Sequence, residues 1–201
     1  MYEHYEEPKF KTIFLNKKLP KTSKSIQLIK WFRKFYRIGL APEYKWGSSG
    51  NLSFRYKDGF VIKSTKTYFK AIKPKDLVFV KNFDLKNKIS YVHGMATPST
   101  ESQMHYLIYK NKKDVNSIFH VHDYDVMKIA KRYKIPITKV TEAGTAKIGY
   151  DVLRVVNDKR FVVMKKHGVV ALGKNINDAG NLILKYNKLA LKNFNQNYKI
   201  S

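Results

Sequence analysis

Two histidines one residue apart close an apolar run, Ser117-Ile118-Phe119-His120-Val121-His122-Asp123. In a β-strand successive side chains alternate faces, so His120 and His122 would project on one side and Val121 on the other. Imidazoles placed that way can share one divalent ion, zinc above all. They can equally be two unrelated surface histidines, and the pair alone does not decide. A metal site needs a third ligand. His167, in Lys165-Lys166-His167-Gly168 between the apolar runs Phe161–Met164 and Val169–Leu172, is a candidate, set at a strand-to-strand turn beside a flexible glycine.

Other stretches must supply a base and a place for substrate. Pro98-Ser99-Thr100-Glu101-Ser102-Gln103-Met104-His105 opens a helix, with Ser99 as N-cap and Met104, Leu107 and Ile108 as its buried stripe. Glu101 falls in the first turn, where acidic residues commonly oppose the positive end of the helix dipole. His105, four residues on, shares its face and reads as a partner or core histidine. Gly47-Ser48-Ser49-Gly50-Asn51-Leu52-Ser53 is a tight loop feeding a strand. Such a loop can turn several backbone N–H groups toward an anion, although most are merely turns. Lys63-Ser64-Thr65-Lys66, after the Asp58-Gly59 hairpin signal and the return strand Phe60-Val61-Ile62, could close the same pocket.

The remaining elements frame these stretches. Residues 1–24 read as a polar arm lying on the body or on a neighbouring subunit. A helix is expected from Ser25 to Ile38, with Ile26, Ile29, Phe32 or Arg33, and Tyr36 at helical spacing, Ser25 as cap and Gly39 as stop. Its aromatic residues Trp31, Phe32, Phe35 and Tyr36 suit a core better than a base-stacking platform. Further helices are expected at Asp125 to Tyr133, Tyr150 to Val156 and Asn177 to Leu191, with a frayed polar tail beyond Asn193. Leu77–Val80 is another strand, followed by a turn over residues 82–88, and Lys134 to Ile137 is extended.

Composition sets limits. A chain of 201 residues with 43% hydrophobic content can bury one sizeable core. Cysteine is absent, which excludes disulfides and thiolate ligands. No apolar run approaches membrane-spanning length, and the first residues lack the pattern of a signal peptide, so a cytoplasmic protein with no membrane partner is expected. The net charge of +25 raises a nucleic-acid or other polyanion partner, but only six of the 40 basic residues are arginine and the lysines are dispersed. Solvated lysine-rich faces account for that pattern, and no nucleic-acid partner is expected.

Taken together, Gly47–Ser53, Pro98–Glu101, His120-Val121-His122 and Lys166-His167-Gly168-Val169 resemble, in order and spacing, the class II aldolase/adducin family over roughly residues 25–192. Its sugar-phosphate aldolase branch, the fuculose-phosphate aldolases and their relatives, fits best. The resemblance implies an α/β/α sandwich around a mainly antiparallel central sheet, with residues 1–24 an N-terminal extension and 25–201 the family domain. It implies a homotetramer with active sites between subunits. His120, His122 and His167 are then similar to three zinc ligands and Glu101 to the base that removes a proton next to a carbonyl. Gly50, Asn51, Thr65, Ser99 and Thr100 match the pocket for the substrate phosphate. The implied activity is a reversible aldol cleavage of a small phosphorylated sugar, with zinc as Lewis acid and no lysine Schiff base.

Two departures matter. Lys66 stands where these aldolases usually have glycine, adding a charge on phosphate or narrowing the pocket. The tyrosine that protonates the departing aldehyde is missing from Ile137-Thr138-Lys139-Val140-Thr141, which leaves Tyr150, Tyr198 of a neighbouring subunit or an ordered water as candidates. The family also contains decarboxylases, dehydratases, epimerases and non-catalytic adducins. Glu101 argues against the epimerases, which typically carry aspartate there, and the intact histidines against the adducins. The decarboxylase and dehydratase activities remain as alternatives, as does a non-catalytic polyanion-binding protein.

Overall fold

A computed structural model describes residues 7–18 and 22–197, with side chains as far as 194. The strands are β1 (Lys11–Asn16), β2 (Glu43–Tyr44), β3 (Gly47–Ser48), β4 (Asn51–Tyr56), β5 (Gly59–Lys63), β6 (Leu77–Asp84), β7 (Ile89–His93), β8 (Ser117–Val121), β9 (Phe161–Met164) and β10 (Gly168–Gly173). The helices are α1 (Ser23–Arg37), α2 (Ser102–Asn111), α3 (Tyr124–Ile129), α4 (Ala146–Val155) and α5 (Ile176–Asn197). Eight strands form one sheet in the order β1-β7-β6-β5-β4-β8-β10-β9, while β2 and β3 pair with each other. Each neighbouring pair in the large sheet is antiparallel except β1 with β7.

Side-chain alternation divides the sheet between two cores. Phe119, Val121, Phe161, Val163, Val169 and Ala171 face one side and pack with α1, α3 and α5. Ile118, Val162, Met164, Val170 and Leu172 face the other and pack with Met104 and Ile108 of α2 and Ile148 and Val152 of α4. This is the expected α/β/α sandwich with a mainly antiparallel sheet. Helices cover both faces of β8, β9 and β10, and every residue of those strands is buried. That is why they read as unbroken apolar runs.

Several local expectations shift. On α1 the buried face is Leu28, Ile29, Trp31, Phe32 and Phe35, while Ile26 is 59% exposed. Two stripes overlap in that sequence, and the one carrying three large aromatics wins. Each such side chain is worth roughly 1.5–3 kcal/mol when buried, and Trp31 and Phe35 meet Phe119 edge-on. Thr22 caps the helix in place of Ser25, accepting from the Lys24 amide. The β4–β5 turn centres on Lys57 and Asp58, with Gly59 already paired to Tyr56. Residues 11–16, read as part of an arm, are an edge strand aligned parallel to β7. α4 starts at Ala146, four residues before the expected Tyr150, and α5 continues to Asn197 through the expected frayed tail. Tyr198 lies outside the described residues. Among the described residues no helix is long and apolar enough to cross a membrane.

Candidate active site

β8 delivers His120, and His122 follows one residue past its end on the same side, as alternation requires. The β9–β10 turn delivers His167, because β10 pairs with β8 in a register that sets Val170 opposite His120. One nitrogen from each ring lies within 4.8 Å of the others. His120 Nδ1 donates to the Val169 carbonyl at 3.0 Å, which fixes its tautomer and leaves the Nε2 lone pair turned inward. His120 Nε2 and His122 Nε2 are 3.2 Å apart. Two nitrogens on one tetrahedral zinc would stand about 3.3 Å apart, from Zn–N bonds of about 2.0–2.1 Å. The donor set fits a divalent ion.

Glu101 occupies the position just before α2, which begins at Ser102, so neither the expected first-turn placement nor the Ser99 cap is found. Ser99 instead accepts at its carbonyl from the Ser102 hydroxyl. The carboxylate is buried, with Oε2 3.1 Å from His120 Nε2 and Oε1 3.4 Å from His167 Nε2. Oε1 has no hydrogen-bond partner among the described residues. Burial opposes charge on Glu101, but His120, His167 and the Asn51 amide together outweigh it and hold the carboxyl well below its ordinary range. Burial pushes His120 down to about 3 against the pull of Glu101, so its imidazole is neutral at pH 7, the form that ligates metals. His120 Nε2, His122 Nε2 and Glu101 Oε2 thus crowd three acceptor-capable atoms into one spot, an arrangement a cation relieves.

A buried chain of hydrogen bonds holds Glu101 from behind. The Asn51 amide donates to Glu101 Oε2 at 2.7 Å, and Asn51 Oδ1 accepts from His105 Nε2 at 2.6 Å. His105 Nδ1 then accepts from the Ser53 hydroxyl at 2.7 Å, which itself lies 2.8 Å from the Tyr109 phenol. Every link has one donor and one acceptor, which assigns the His105 tautomer. Burial pushes His105 down to about 3 and Tyr109 upward, so both stay neutral and the chain keeps its polarity at neutral pH.

A cavity of about 410 Å³ opens on Glu101, His122 and His167, with His120 buried behind it. All six residues expected at the phosphate line its other wall: Gly50, Asn51, Thr65, Lys66, Ser99 and Thr100. Gly50 has φ +81°, and a Cβ there would stand 2.6 Å from the His120 carbonyl, so only glycine lets the loop lie against β8.

The family model described as Class II Aldolase and Adducin N-terminal domain matches residues 26–191. The chain belongs to that family. The L-fuculose phosphate aldolase of Methanocaldococcus jannaschii is 28% identical over 168 residues, which are 76% of this chain and 86% of that protein. The 5-methylthioribulose-1-phosphate/5-deoxyribulose-1-phosphate aldolase of Rhodospirillum rubrum is 24% identical over 160 residues, 72% of this chain and 70% of that protein. The solved structure of an L-fuculose 1-phosphate aldolase superposes with a TM-score of 0.73 at 21% identity, covering 91% of this chain and 90% of that one. On the family match and these relatives, the chain is a class II aldolase-type enzyme.

Lys66, one of the two departures noted in the sequence, adopts φ +55°. A left-handed backbone suits the glycine that the resemblance leads one to expect there, and Lys66 adopts it while reaching Glu7 at 3.2 Å. Gly168, expected to be flexible, is instead needed for close approach, since a Cβ would stand 2.6 Å from the Val121 carbonyl and 2.8 Å from His120. Tyr150 is 52% exposed and does not line the cavity, and no tyrosine lines it among the described residues. Val140 and Thr141 of the segment that follows Ile137 line it.

Two features went unread in the sequence. Lys63, expected only as part of a stretch that closes the pocket, ends β5 with its ammonium buried at the cavity, donating to the carbonyls of Ser48 and Thr67. Burial pushes it down to about 8, with Glu101 opposing. A lysine closing an apolar strand was the available signal. The Ser53–His105–Asn51 chain was marked only by the helical spacing of Glu101 and His105.

Proposed function

We propose that this protein is a zinc-dependent lyase that reversibly cleaves the bond between the α and β carbons of a small phosphorylated ketose. The observation that carries this reading is the placement of the Glu101 carboxylate between the three imidazoles and a cavity wall of neutral donors. His120, His122 and His167 would hold the ion, which supplies a Lewis acid for the sugar's oxygens when bound. In the condensation direction Glu101 Oε1, ionised and without a hydrogen-bond partner among the described residues, takes a proton from the carbon adjoining the carbonyl. In cleavage it gives that proton back to the same carbon, which holds the electron pair of the broken carbon–carbon bond. Asn51 keeps that carboxylate aimed. The wall of Gly50, Thr65, Ser99 and Thr100 receives the phosphate, and Lys63 meets it with an ammonium otherwise satisfied only by two carbonyls. An anion there stabilises the protonated lysine that burial disfavours.

The resemblance to fuculose-phosphate aldolases further suggests a homotetramer, and the lack of cysteine suits a reducing cytoplasm. Elemental analysis should find close to one zinc per chain, and ketose 1-phosphates should release dihydroxyacetone phosphate. A protein that neither holds nor rebinds a divalent ion refutes the reading. The absence of a cavity tyrosine among the described residues favours, as second reading, a decarboxylase or dehydratase using the same base and metal. That reading predicts no carbon–carbon cleavage of a ketose phosphate.

A further inference from the structure

The cavity has two basic ends. Lys63 ends β5 and Lys66 follows it at the phosphate wall, while Lys165 and Lys166 follow β9 on the turn that carries His167. The sheet order sets β5 and β9 on opposite sides of β8, which bears His120. Glu101 is the one carboxylate among the lining residues. The two pairs of lysines are not equivalent. Lys63 donates to two backbone carbonyls and Lys66 pairs with Glu7. The ammonium groups of Lys165 and Lys166 have no hydrogen bond or ion pair among the described residues. Their backbone is nevertheless held. The Lys165 amide donates to Thr138 Oγ1 at 3.2 Å, the His167 amide closes the turn on the Met164 carbonyl at 3.0 Å, and Lys166 has φ +63°. Non-glycine residues rarely adopt the left-handed region, so the turn presents Lys166 in a direction set by its surroundings.

A single phosphate on the Lys63 side leaves the Lys165 side unanswered, and like charges lining one cleft focus a field that draws anions. We infer that the substrate carries a second anionic group, a phosphate or a carboxylate, on the fragment that leaves as the aldehyde, and that Lys165 and Lys166 bind it. This rests on the sugar-phosphate reading above and narrows its substrate class to doubly anionic sugars.

Calorimetry of the zinc-loaded protein with three unreactive polyols tests it: ribitol 1-phosphate, ribitol 1,5-bisphosphate and ribonate 5-phosphate. The bisphosphate should bind at least tenfold more tightly than the monophosphate, beyond the twofold that two equivalent ends provide, and the gap should narrow with added salt. In the Lys165→Ala/Lys166→Ala variant the gap should fall to two- or threefold, and Lys165→Arg/Lys166→Arg should restore most of it. Whether the bisphosphate or the ribonate phosphate gains more over ribitol 1-phosphate identifies the second group. A gap of twofold or less in the wild type for both doubly anionic ligands, or one that survives the alanine variant unchanged, overturns the inference while leaving the sugar-phosphate reading intact. If ribitol 1-phosphate itself fails to bind, that reading falls and the inference falls with it.

Discussion

His105 touches neither the imidazole trio nor the cavity, yet replacing it should slow proton abstraction. In His105→Phe the ring volume stays, but Asn51 Oδ1 loses its 2.6 Å donor and the Ser53 hydroxyl its 2.7 Å acceptor. A buried group left unsatisfied costs about 1–3 kcal/mol, which applies in full to Asn51 Oδ1. The Ser53 hydroxyl keeps the Ile118 carbonyl as a weaker acceptor and loses about 1 kcal/mol, so the pair should cost about 2–4 kcal/mol. For a domain of this size that lowers Tm by roughly 5–15 °C. The kinetic effect runs through Asn51, whose amide then loses its anchor and lets the Glu101 carboxylate pivot. Misplacement by about 1 Å can cost on the order of 100-fold, so a 10- to 100-fold slower exchange of the substrate's proton with heavy water is expected. His105→Gln supplies an N–H to Asn51 again and should recover much of the rate, and bound zinc should be unchanged in both variants. The assay is NMR of dihydroxyacetone phosphate in heavy water, well below the variants' Tm. A His105→Phe protein exchanging at the wild-type rate, or a His105→Gln protein as slow as the phenylalanine variant, refutes the positioning role.

Three further outcomes are expected. Lys63 has a native pKa of about 8 against an ordinary 10.5, so between those values the unfolded chain holds more protons and wild-type stability rises with pH. Lys63→Met removes a burial cost of about 3 kcal/mol at pH 7, and its Tm advantage over the wild type should shrink between pH 8 and 10; a constant gap contradicts the buried ammonium. Lys66→Gly relieves the left-handed backbone by about 1 kcal/mol and gives up an exposed ion pair worth no more than that, so Tm should move by less than about 3 °C while KM for a phosphorylated substrate rises several-fold. An unchanged KM places Lys66 outside the phosphate contacts. His122→Ala and His167→Ala should each lose zinc by elemental analysis and keep a wild-type circular dichroism spectrum, and retention of full zinc would remove that residue from the ligand set.

What could be read from the sequence follows from range. His120 and His122 were legible because strand alternation acts over two residues, and the Gly50 loop because its composition marks it locally. The two-sided burial of β8, β9 and β10 was visible as apolar runs. The Asn51–His105–Glu101 chain was hidden because it joins β4 to α2 across about fifty residues, and no local pattern fixes that pairing. The burial of Lys63 was hidden for a related reason, since it depends on the Ser48 carbonyl of another loop meeting it together with that of Thr67. The edge strand β1 has a burial pattern without clean alternation, and its parallel partner lies more than seventy residues away. On α1 the sequence offered two stripes, and only the aromatic partners on the sheet decide between them.

Proton exchange tests the central claim most directly. Zinc-loaded protein should exchange a carbon-bound proton of dihydroxyacetone phosphate with heavy water, and Glu101→Gln, with its zinc retained, should stop that exchange because the amide keeps the shape and cannot accept the proton. Wild-type exchange no faster than that of Glu101→Gln would contradict the assignment of Glu101 as the base beside the three histidines.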